Sequence, residues 1–273
     1  MTDSPLGILA GGGELPRRLV DACRSRARPC FVVAFEGHAD AATVADVTHA
    51  WAPLGAVGRV FDLLRGAGVR DVVLAGAIKR PSLLGLRPDA RGAVLLARIG
   101  LRALGDDGLL RAVIGEIERE GFRIVGAEDV LEGLTAPAGV LGRIAPDTRA
   151  RADIARGVEV ARALGTVDVG QAVVVQQGIV LGVEAVEGTE ALLARAGTLR
   201  REGPGGVLVK LAKPGQDRRV DLPTIGVATI EQAAAAGLAG IAIQADATLV
   251  LDLAGMIAAA DAAGLFIEGL VFR

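Results

Sequence analysis

The first half of the chain alternates short apolar runs with amphipathic stretches. The runs Leu6–Ala10, Cys30–Phe35 and Asp71–Ala75 have the length of buried strands. Residues 15–24 and 57–64 have apolar positions at helical spacing. Further helices are predicted at 90–104 and 109–118, and a further strand at 123–126. This order predicts a Rossmann-like α/β domain, in which helices cover a parallel sheet.

The second half has a different pattern, which predicts a mixed sheet. Residues 171–189 read as two strands around Gln177 and Gly178. Helices are predicted at 149–164, 230–236 and 254–263, and strands at 206–211, 240–243, 248–251 and 265–270. Residues 128–148 mix Gly, Pro and Thr without periodicity, as connections between domains do. We therefore expect an N-terminal domain over 1–130, a linker over 131–148 and a second α/β domain over 149–273.

Composition excludes several classes of function for this 273-residue chain. It has 30 basic and 32 acidic residues, two histidines, two cysteines and 3% aromatic residues. A zinc site of three histidines or four cysteines is not available, and neither is a basic, aromatic-lined groove for nucleic acid. We expect no nucleic-acid partner. The chemistry must come from carboxylates, Lys and Arg, hydroxyls, backbone amides or an oxygen-ligated metal.

The distribution of apolar residues predicts a cytoplasmic protein. No secretory signal and no apolar run of spanning length is visible in the sequence. Cys23 and Cys30 have no partner motif, so we expect free thiols in a reducing compartment. Peripheral contact with a membrane is compatible with this pattern.

A glycine turn, Gly11, Gly12 and Gly13, follows the first predicted strand and precedes a helix. Such a turn lets the backbone approach a phosphate at a helix N-terminus. It resembles a dinucleotide fingerprint, with Glu36 as a ribose-binding acid, but the third glycine of that fingerprint falls at Pro16. The alternative is a turn needed only for close packing of strand and helix.

Two short acidic motifs each allow a structural and a functional interpretation. Asp106 and Asp107 precede a predicted helix, where they either cap it or hold a hard cation such as Mg²⁺. The sequence EGTE begins another helix, with Thr189 either as its N-cap or as a hydroxyl presented to a ligand.

The polar segment 208–226 groups two lysines, two arginines and two aspartates within twelve residues. Only three of the 30 basic residues are lysines, and two of them, Lys210 and Lys213, belong to this segment. In an extended chain Arg219 and Asp221 point to the same face. The loop is either a solvated, salt-bridged hairpin or a site for polyphosphate, with lysines as cations and an aspartate that positions a metal or a water.

Several segments together resemble a known family. They are AGGGELP, GAVGRVFDLLRGAGVRDVVLAGAIKRP, GDDGLLRAVIGEIEREGFRIVGAEDVL, VDVGQAVVV, EGTE and VLVKLAKPGQDRRVDLPTIGVATI. They are similar to the UDP-2,3-diacylglucosamine pyrophosphatases of the lipid A pathway, of the type unrelated to calcineurin-like phosphoesterases. The resemblance covers nearly the whole chain, and RVDLPTIG is its most distinctive part.

The resemblance implies a hydrolase, dependent on Mg²⁺ or Mn²⁺, that splits a lipid-linked UDP-sugar into UMP and 2,3-diacylglucosamine 1-phosphate. It implies that Asp221 is important for catalysis. We assign Asp221 as a metal ligand or as the group that orients the attacking water, and Asp106 and Asp107 as candidate metal or substrate ligands. The motifs imply substrate contacts at Gly11, Gly12, Gly13, Gly76, Lys79, Arg80, Gln171, Thr189, Lys210, Lys213 and Thr224. Glu190 departs from the aspartate expected in EGTD, which puts a carboxylate role there in doubt.

Two other functions are compatible with the same motifs. One is a nicotinamide-dependent oxidoreductase built on the glycine turn, and the other is a non-catalytic regulator that binds a nucleotide sugar or phosphate. Peripheral contact with the inner membrane fits a substrate with two acyl chains. A homodimer is a reasonable expectation for a cytoplasmic enzyme of this size.

Overall fold

Two α/β units make up the chain, of which the computed structural model describes residues 4–78, 87–99 and 106–272. The first unit comprises Met1–Glu132 with Asp217–Val220, and the second comprises Gly133–Gln216 with Asp221–Arg273. Within the described ranges, no helix is long and apolar enough to cross a membrane. The predicted α/β class is confirmed for both units.

A five-stranded parallel sheet organises the first unit. Its strands are β1 (Leu6–Ala10), β2 (Cys30–Phe35), β3 (His49–Ala52), β4 (Asp71–Ala75) and β5 (Arg123–Ile124). Their order is β3-β2-β1-β4-β5, which is typical of doubly wound sheets, and the order reverses between β1 and β4. Ile8 of β1 lies in register with Val32 and Val73 on either side. The sequence predicted β1, β2 and β4 with these bounds, but β3 escaped prediction because it has only four residues.

Helices cover both faces of this sheet. They are α1 (Leu15–Ser25), α2 (Ala41–Val44), α3 (Val57–Gly66), α4 (Ala90–Ile99), α5 (Asp106–Arg119) and α6 (Ala127–Val130). Leu9 packs in one cluster with Phe61 of α3 and Ile117 of α5. Ile8 and Val32 point to the opposite face, since side chains alternate along a strand, and both are fully buried. A strand that is buried on both faces appears in the sequence as a continuous apolar run. For this reason β1, β2 and β4 could be predicted.

The second unit is built on a six-stranded mixed sheet. Its strands are β6 (Gly139–Leu141), β7 (Ala172–Gln176), β8 (Ile179–Val183), β9 (Val207–Lys210), β11 (Gly240–Gln244) and β13 (Phe266–Leu270). The order is β6-β13-β11-β9-β7-β8, in which β9, β11 and β13 run parallel and β6 and β7 run antiparallel to their neighbours. Two short strands, β10 (Thr224–Ile225) and β12 (Leu249–Val250), form a separate parallel pair.

Helices pack on both faces of the mixed sheet. They are α7 (Thr148–Thr166), α8 (Gly188–Thr198), α9 (Val227–Ala235) and α10 (Leu253–Ala263). One cluster joins Leu208 to Leu193 of α8 and Met256 of α10. The other joins Val209 to Ile154 of α7. Each fully buried Leu or Ile contributes about 1.5–3 kcal/mol relative to exposure, so these clusters hold β9 rigidly in the middle of the sheet.

The segment 131–148, expected as a linker, carries a strand of its own. Leu141 of β6 pairs with Ile267 of β13, so this part of the chain extends the mixed sheet. Asp147 then begins α7, and its carboxylate accepts a hydrogen bond from the Ala150 amide at 2.8 Å. Three residues are too few for the periodicity of a strand to show in a sequence.

Candidate functional site

The glycine turn, here Gly11–Gly13 with Gly76 and Ala77, is held by backbone hydrogen bonds. The Gly11 amide donates to the Ala75 carbonyl at 2.8 Å. Gly12 and Ala77 exchange two N–H···O bonds of 2.9 Å each. The Gly13 amide donates to Asp40 Oδ2 at 3.1 Å. All three glycine amides therefore have partners within the first unit.

Close approach of two backbone segments explains two of these glycines. A Cβ on Gly11 would lie 2.5 Å from the Ala77 carbonyl oxygen. A Cβ on Gly76 would lie 2.5 Å from the Gly12 oxygen, and Gly76 also has a left-handed φ of +88°. Backbone packing therefore explains why glycine occupies positions 11 and 76. Phosphate contact at Gly11, Gly12, Gly13 and Gly76 stays a prediction.

The second unit brings four predicted substrate contacts together around a buried lysine. Lys210 is the last residue of β9 and is only 7% exposed. Its Nζ donates to Thr189 Oγ1 at 3.0 Å and to the Thr224 carbonyl at 3.1 Å. Gln171, whose carbonyl accepts from the Leu211 amide, completes the group. Thus Gln171, Thr189, Lys210 and Thr224 converge although they are far apart in sequence.

A fifth residue in this group, Glu184, was not anticipated from the sequence. It directly follows β8 and is also only 7% exposed. Its Oε1 accepts from the Thr189 hydroxyl and its Oε2 accepts from the Gln171 amide at 3.2 Å. No sequence signal singles it out, because β8 is a partly exposed edge strand and a lone glutamate after such a strand has no signature. We call Gln171, Glu184, Thr189, Lys210 and Thr224 the Lys210 cluster.

The structure corrects the N-cap interpretation of Thr189. Helix α8 begins at Gly188, with Glu187 as its N-cap residue, so Thr189 lies inside the first turn. Its hydroxyl donates to Glu184 rather than accepting from the helix backbone. The hydroxyl therefore contacts Glu184 and Lys210, and its presentation to a ligand stays a prediction.

Burial and charge act in opposite directions on Lys210. Removal from water lowers the pKa of Lys210 below its ordinary value, because the charged ammonium loses hydration. The negative charge of Glu184 raises that pKa and opposes part of the effect. Buried cations of this kind, next to a specific carboxylate, are typical of functional sites.

A second group of polar residues lies in the loop 211–223, between β9 and β10. The Lys213 amide donates to Gln216 Oε1 at 2.9 Å, and Gln216 Nε2 donates to Asp221 Oδ2 at 2.5 Å. The Lys213 ammonium forms an ion pair of 2.7 Å with Asp168. Asp221 precedes Thr224 by three residues, which limits the distance between their Cα atoms to about 11 Å. Gln216 thus holds the Asp221 carboxylate in place.

The extended conformation expected at Arg219 and Asp221 is wrong. Residues 218–220 form a turn, and Arg219 ion-pairs with Asp217 and Glu118 at 2.7 and 2.8 Å. The guanidinium lowers the pKa of Asp217 through these hydrogen bonds. Arg219 therefore has a structural role in the first unit, and Asp221 does not share a strand face with it.

Four predicted residues, Lys79, Arg80, Asp106 and Asp107, fall within the segment Met1–Glu132. Lys79 and Arg80 lie outside the described residues. Asp106 and Asp107 form the first two positions of α5, and their metal role stays a prediction. Glu190 is exposed on α8. Over the described ranges, no three His, Cys, Asp or Glu side chains are grouped as a metal site, and Cys23 and Cys30 are free.

Comparison with known proteins identifies relatives over nearly the full chain. The model of the LpxI N-terminal domain matches residues 5–134, and that of the LpxI C-terminal domain matches residues 137–268. The UDP-2,3-diacylglucosamine pyrophosphatase LpxI of Caulobacter vibrioides is 45% identical over 272 residues, which spans 97% of each chain.

Proposed function

Because the chain belongs to the LpxI family, we propose that it hydrolyses the pyrophosphate bond of UDP-2,3-diacylglucosamine to UMP and 2,3-diacylglucosamine 1-phosphate. The observation that carries this proposal is the 45% identity over 97% of a pyrophosphatase chain. The Lys210 cluster supports it, since hydrolysis of a diphosphate requires mainly positioning and charge stabilisation.

In this proposal Lys210 binds the diphosphate. Two of its three N–H donors are directed at Thr189 and Thr224 among the described residues. The third is available to a non-bridging phosphate oxygen, where the ammonium stabilises the charge that develops as the anhydride bond breaks. Burial strengthens this interaction because the local dielectric is low.

Asp221 is the proposed catalytic carboxylate. Gln216 fixes one of its oxygens, which defines the direction of the carboxylate without neutralising it. An oriented carboxylate can accept the proton of an attacking water or hold a cation beside the phosphates. Lys213 is ion-paired with Asp168, so we expect it to contribute less charge to the diphosphate than Lys210 does.

We also propose Mg²⁺ or Mn²⁺ as the cofactor. Magnesium at phosphate sites is typically held by one or two carboxylates, with the substrate phosphates and waters as its other ligands. The anchored Asp221 carboxylate fits that arrangement, and Asp106 and Asp107 are the other candidate ligands. When bound, the cation would neutralise negative charge on the diphosphate.

Exposed apolar side chains beside the cluster support a lipid-bearing substrate. Val186 lies between Glu184 and Thr189 in sequence and is 92% exposed. Val167 and Val169, just before Gln171, are exposed as well. We propose that these valines contact acyl chains or the membrane surface. The variant Val186→Ser should raise KM for the diacylated substrate by about tenfold, whereas Val271→Ser, at another exposed valine (65%), should not.

The direct test incubates purified protein with UDP-2,3-diacylglucosamine in detergent micelles and measures UMP by chromatography. We expect many turnovers with Mg²⁺ or Mn²⁺, loss of activity after chelation, and loss in Asp221→Ala with unchanged circular dichroism. Substrate binding without UMP release by the wild-type protein would instead identify a regulator. Turnover that survives chelation would overturn the metal assignment alone.

A further inference from the structure

We infer that Glu184 is a positioning residue for this hydrolysis, since it orients the Thr189 hydroxyl and keeps the buried Lys210 ammonium charged. The inference rests on the proposed function for its catalytic consequence. It assigns Glu184 to the site, where no sequence motif had placed it.

The direction of the hydrogen-bond chain follows from the chemistry of the three side chains. An ammonium can only donate, and an ionised carboxylate can only accept. The Thr189 hydroxyl must therefore accept from Lys210 and give its single proton to Glu184. Thr189 has no second proton for a phosphate oxygen, so its role is to orient Lys210.

The backbone around Glu184 leaves little freedom for the carboxylate. The Glu184 amide donates to the Ala172 carbonyl at 2.8 Å, and its Oε2 accepts from the Gln171 amide. A Cβ on Gly170 would lie 2.0 Å from the Glu184 carbonyl oxygen, so only glycine allows this approach. A carboxylate held in this way defines the position of Thr189 and, through it, of the lysine.

Glu184 is also the ionisable group whose charge acts on Lys210 among the described residues. The register neighbours of Lys210 are Ala172 on β7 and Ile243 on β11, and neither titrates. Helix α8 contributes the Thr189 hydroxyl and β10 contributes the Thr224 carbonyl, which are both uncharged. An unpaired buried ammonium tends to lose its proton, so the carboxylate opposes neutralisation of Lys210.

The first test uses the fact that the chain has only three lysines. Labelling lysine with ¹³C gives three Cε signals, which the variants Lys79→Arg and Lys213→Arg assign. In Glu184→Gln we expect the titration midpoint of Lys210 to fall by about 1–3 pH units, because a neutral amide no longer favours the ammonium. An unchanged midpoint in the folded variant would overturn the inference.

A matched control is Glu268→Gln. Glu268 lies on β13, two strands from β9, and is largely shielded and ion-paired with Arg151 at 3.2 Å. Losing its charge should leave the Lys210 midpoint and the turnover of substrate unchanged. An equal shift in both variants would show a general effect of net charge and would contradict the assignment.

Kinetic measurements distinguish the positioning role of Glu184 from the effect of its negative charge. Glu184→Gln should lower kcat about 10- to 100-fold, with little change in KM, and move the alkaline limb of the pH profile to lower pH. Glu184→Asp keeps the charge but is one methylene shorter, so it should lower kcat and leave that limb in place. Wild-type kcat in both variants would overturn the inference, and Glu184→Asp alone decides it if the Gln variant does not fold.

Different measurements would contradict the proposed function and the role of Glu184. A wild-type protein that releases no UMP overturns the proposed function, whereas the lysine titration requires no substrate. In the Lys210→Met background, adding Glu184→Gln should cost no further activity if Glu184 acts through Lys210. A full additional loss would show that Glu184 acts on its own.

Discussion

The glycine turn of the first unit and Lys210 of the second were both predicted to contact phosphate, yet they differ in the donors that they leave available. In the turn, the amides of Gly11, Gly12 and Gly13 donate to Ala75, Ala77 and Asp40. In the cluster, Lys210 retains one N–H beyond its two partners among the described residues.

The difference indicates that residue type alone does not identify a phosphate site. What matters is whether the residue has an N–H donor that is not already used by another group of the protein. A backbone amide has one proton, so a single internal hydrogen bond removes it from ligand binding. An ammonium has three protons and a full charge, so it can be fixed by two partners and still bind an anion. Four experiments test this comparison.

The largest expected effect is that of Lys210→Met. Loss of a preorganised charge at the diphosphate should lower kcat about 10²- to 10³-fold, while the apolar stem keeps its packing. Steady-state UMP release measures the effect, and thermal unfolding checks the fold. Activity within twofold of wild type would remove the Lys210 cluster from the active site.

The variant Gly11→Ala should act on stability. Its Cβ would meet the Ala77 carbonyl oxygen at 2.5 Å, and such overpacking costs about 1–3 kcal/mol. Gly66→Ala at the end of α3 is the control, because a Cβ there meets nothing within 4 Å. Denaturant unfolding compares them, and equal midpoints would contradict the close approach of the two backbone segments.

The first unit should lose stability in acid through Asp71. Hydrogen bonds from Arg123 hold the pKa of Asp71 below its ordinary value. A carboxyl group with a lowered folded-state pKa stabilises the fold above its unfolded pKa, and this contribution is lost as the pH falls toward the folded value. Asp71→Asn should flatten the fall in unfolding free energy below about pH 4, with a smaller loss at pH 7 than Gly11→Ala.

Gly13→Ala should have the smallest effect on stability and tests the turn most directly. Gly13 has a φ of +90°, and a Cβ there meets nothing within 4 Å, so conformational strain of about 1–2 kcal/mol is the expected cost. If the turn is only structural, KM stays at the wild-type value. A raised KM in the folded variant would show that the turn contacts substrate and would erase the contrast with the Lys210 cluster.

Prediction from the sequence succeeded for strands whose apolar run extends over five or six residues. Strands β1, β2 and β4 were predicted with their observed bounds because they are buried on both faces and are bounded by turns. The short strands β3 and β6 were missed, and Thr189 was assigned to the wrong position of its helix. Those errors depend on one to four residues, a scale at which tertiary contacts override local preference.

The residues of the candidate site also divide into those that were proposed from the sequence and one that was not. Lys210 was proposed because lysine is scarce in this chain and the polar loop stands out, whereas Asp221 was proposed because RVDLPTIG resembles the family motif. Glu184 was not, because a single glutamate after a strand has no signature until its partner is known. That partner, Thr189, is brought to it by the start of α8, and Lys210 by strand β9, which β7 separates from β8.

By itself, the sequence predicted the two α/β units, which the structure confirms, and it proposed the residues that would bind a diphosphate. Only the tertiary structure decided which of those residues still have donors to offer. The physical reason is that each amide, hydroxyl or ammonium has a fixed number of protons, and the groups that accept them in this fold lie far away in sequence. Composition and spacing define the donors, whereas the fold determines what remains for a ligand.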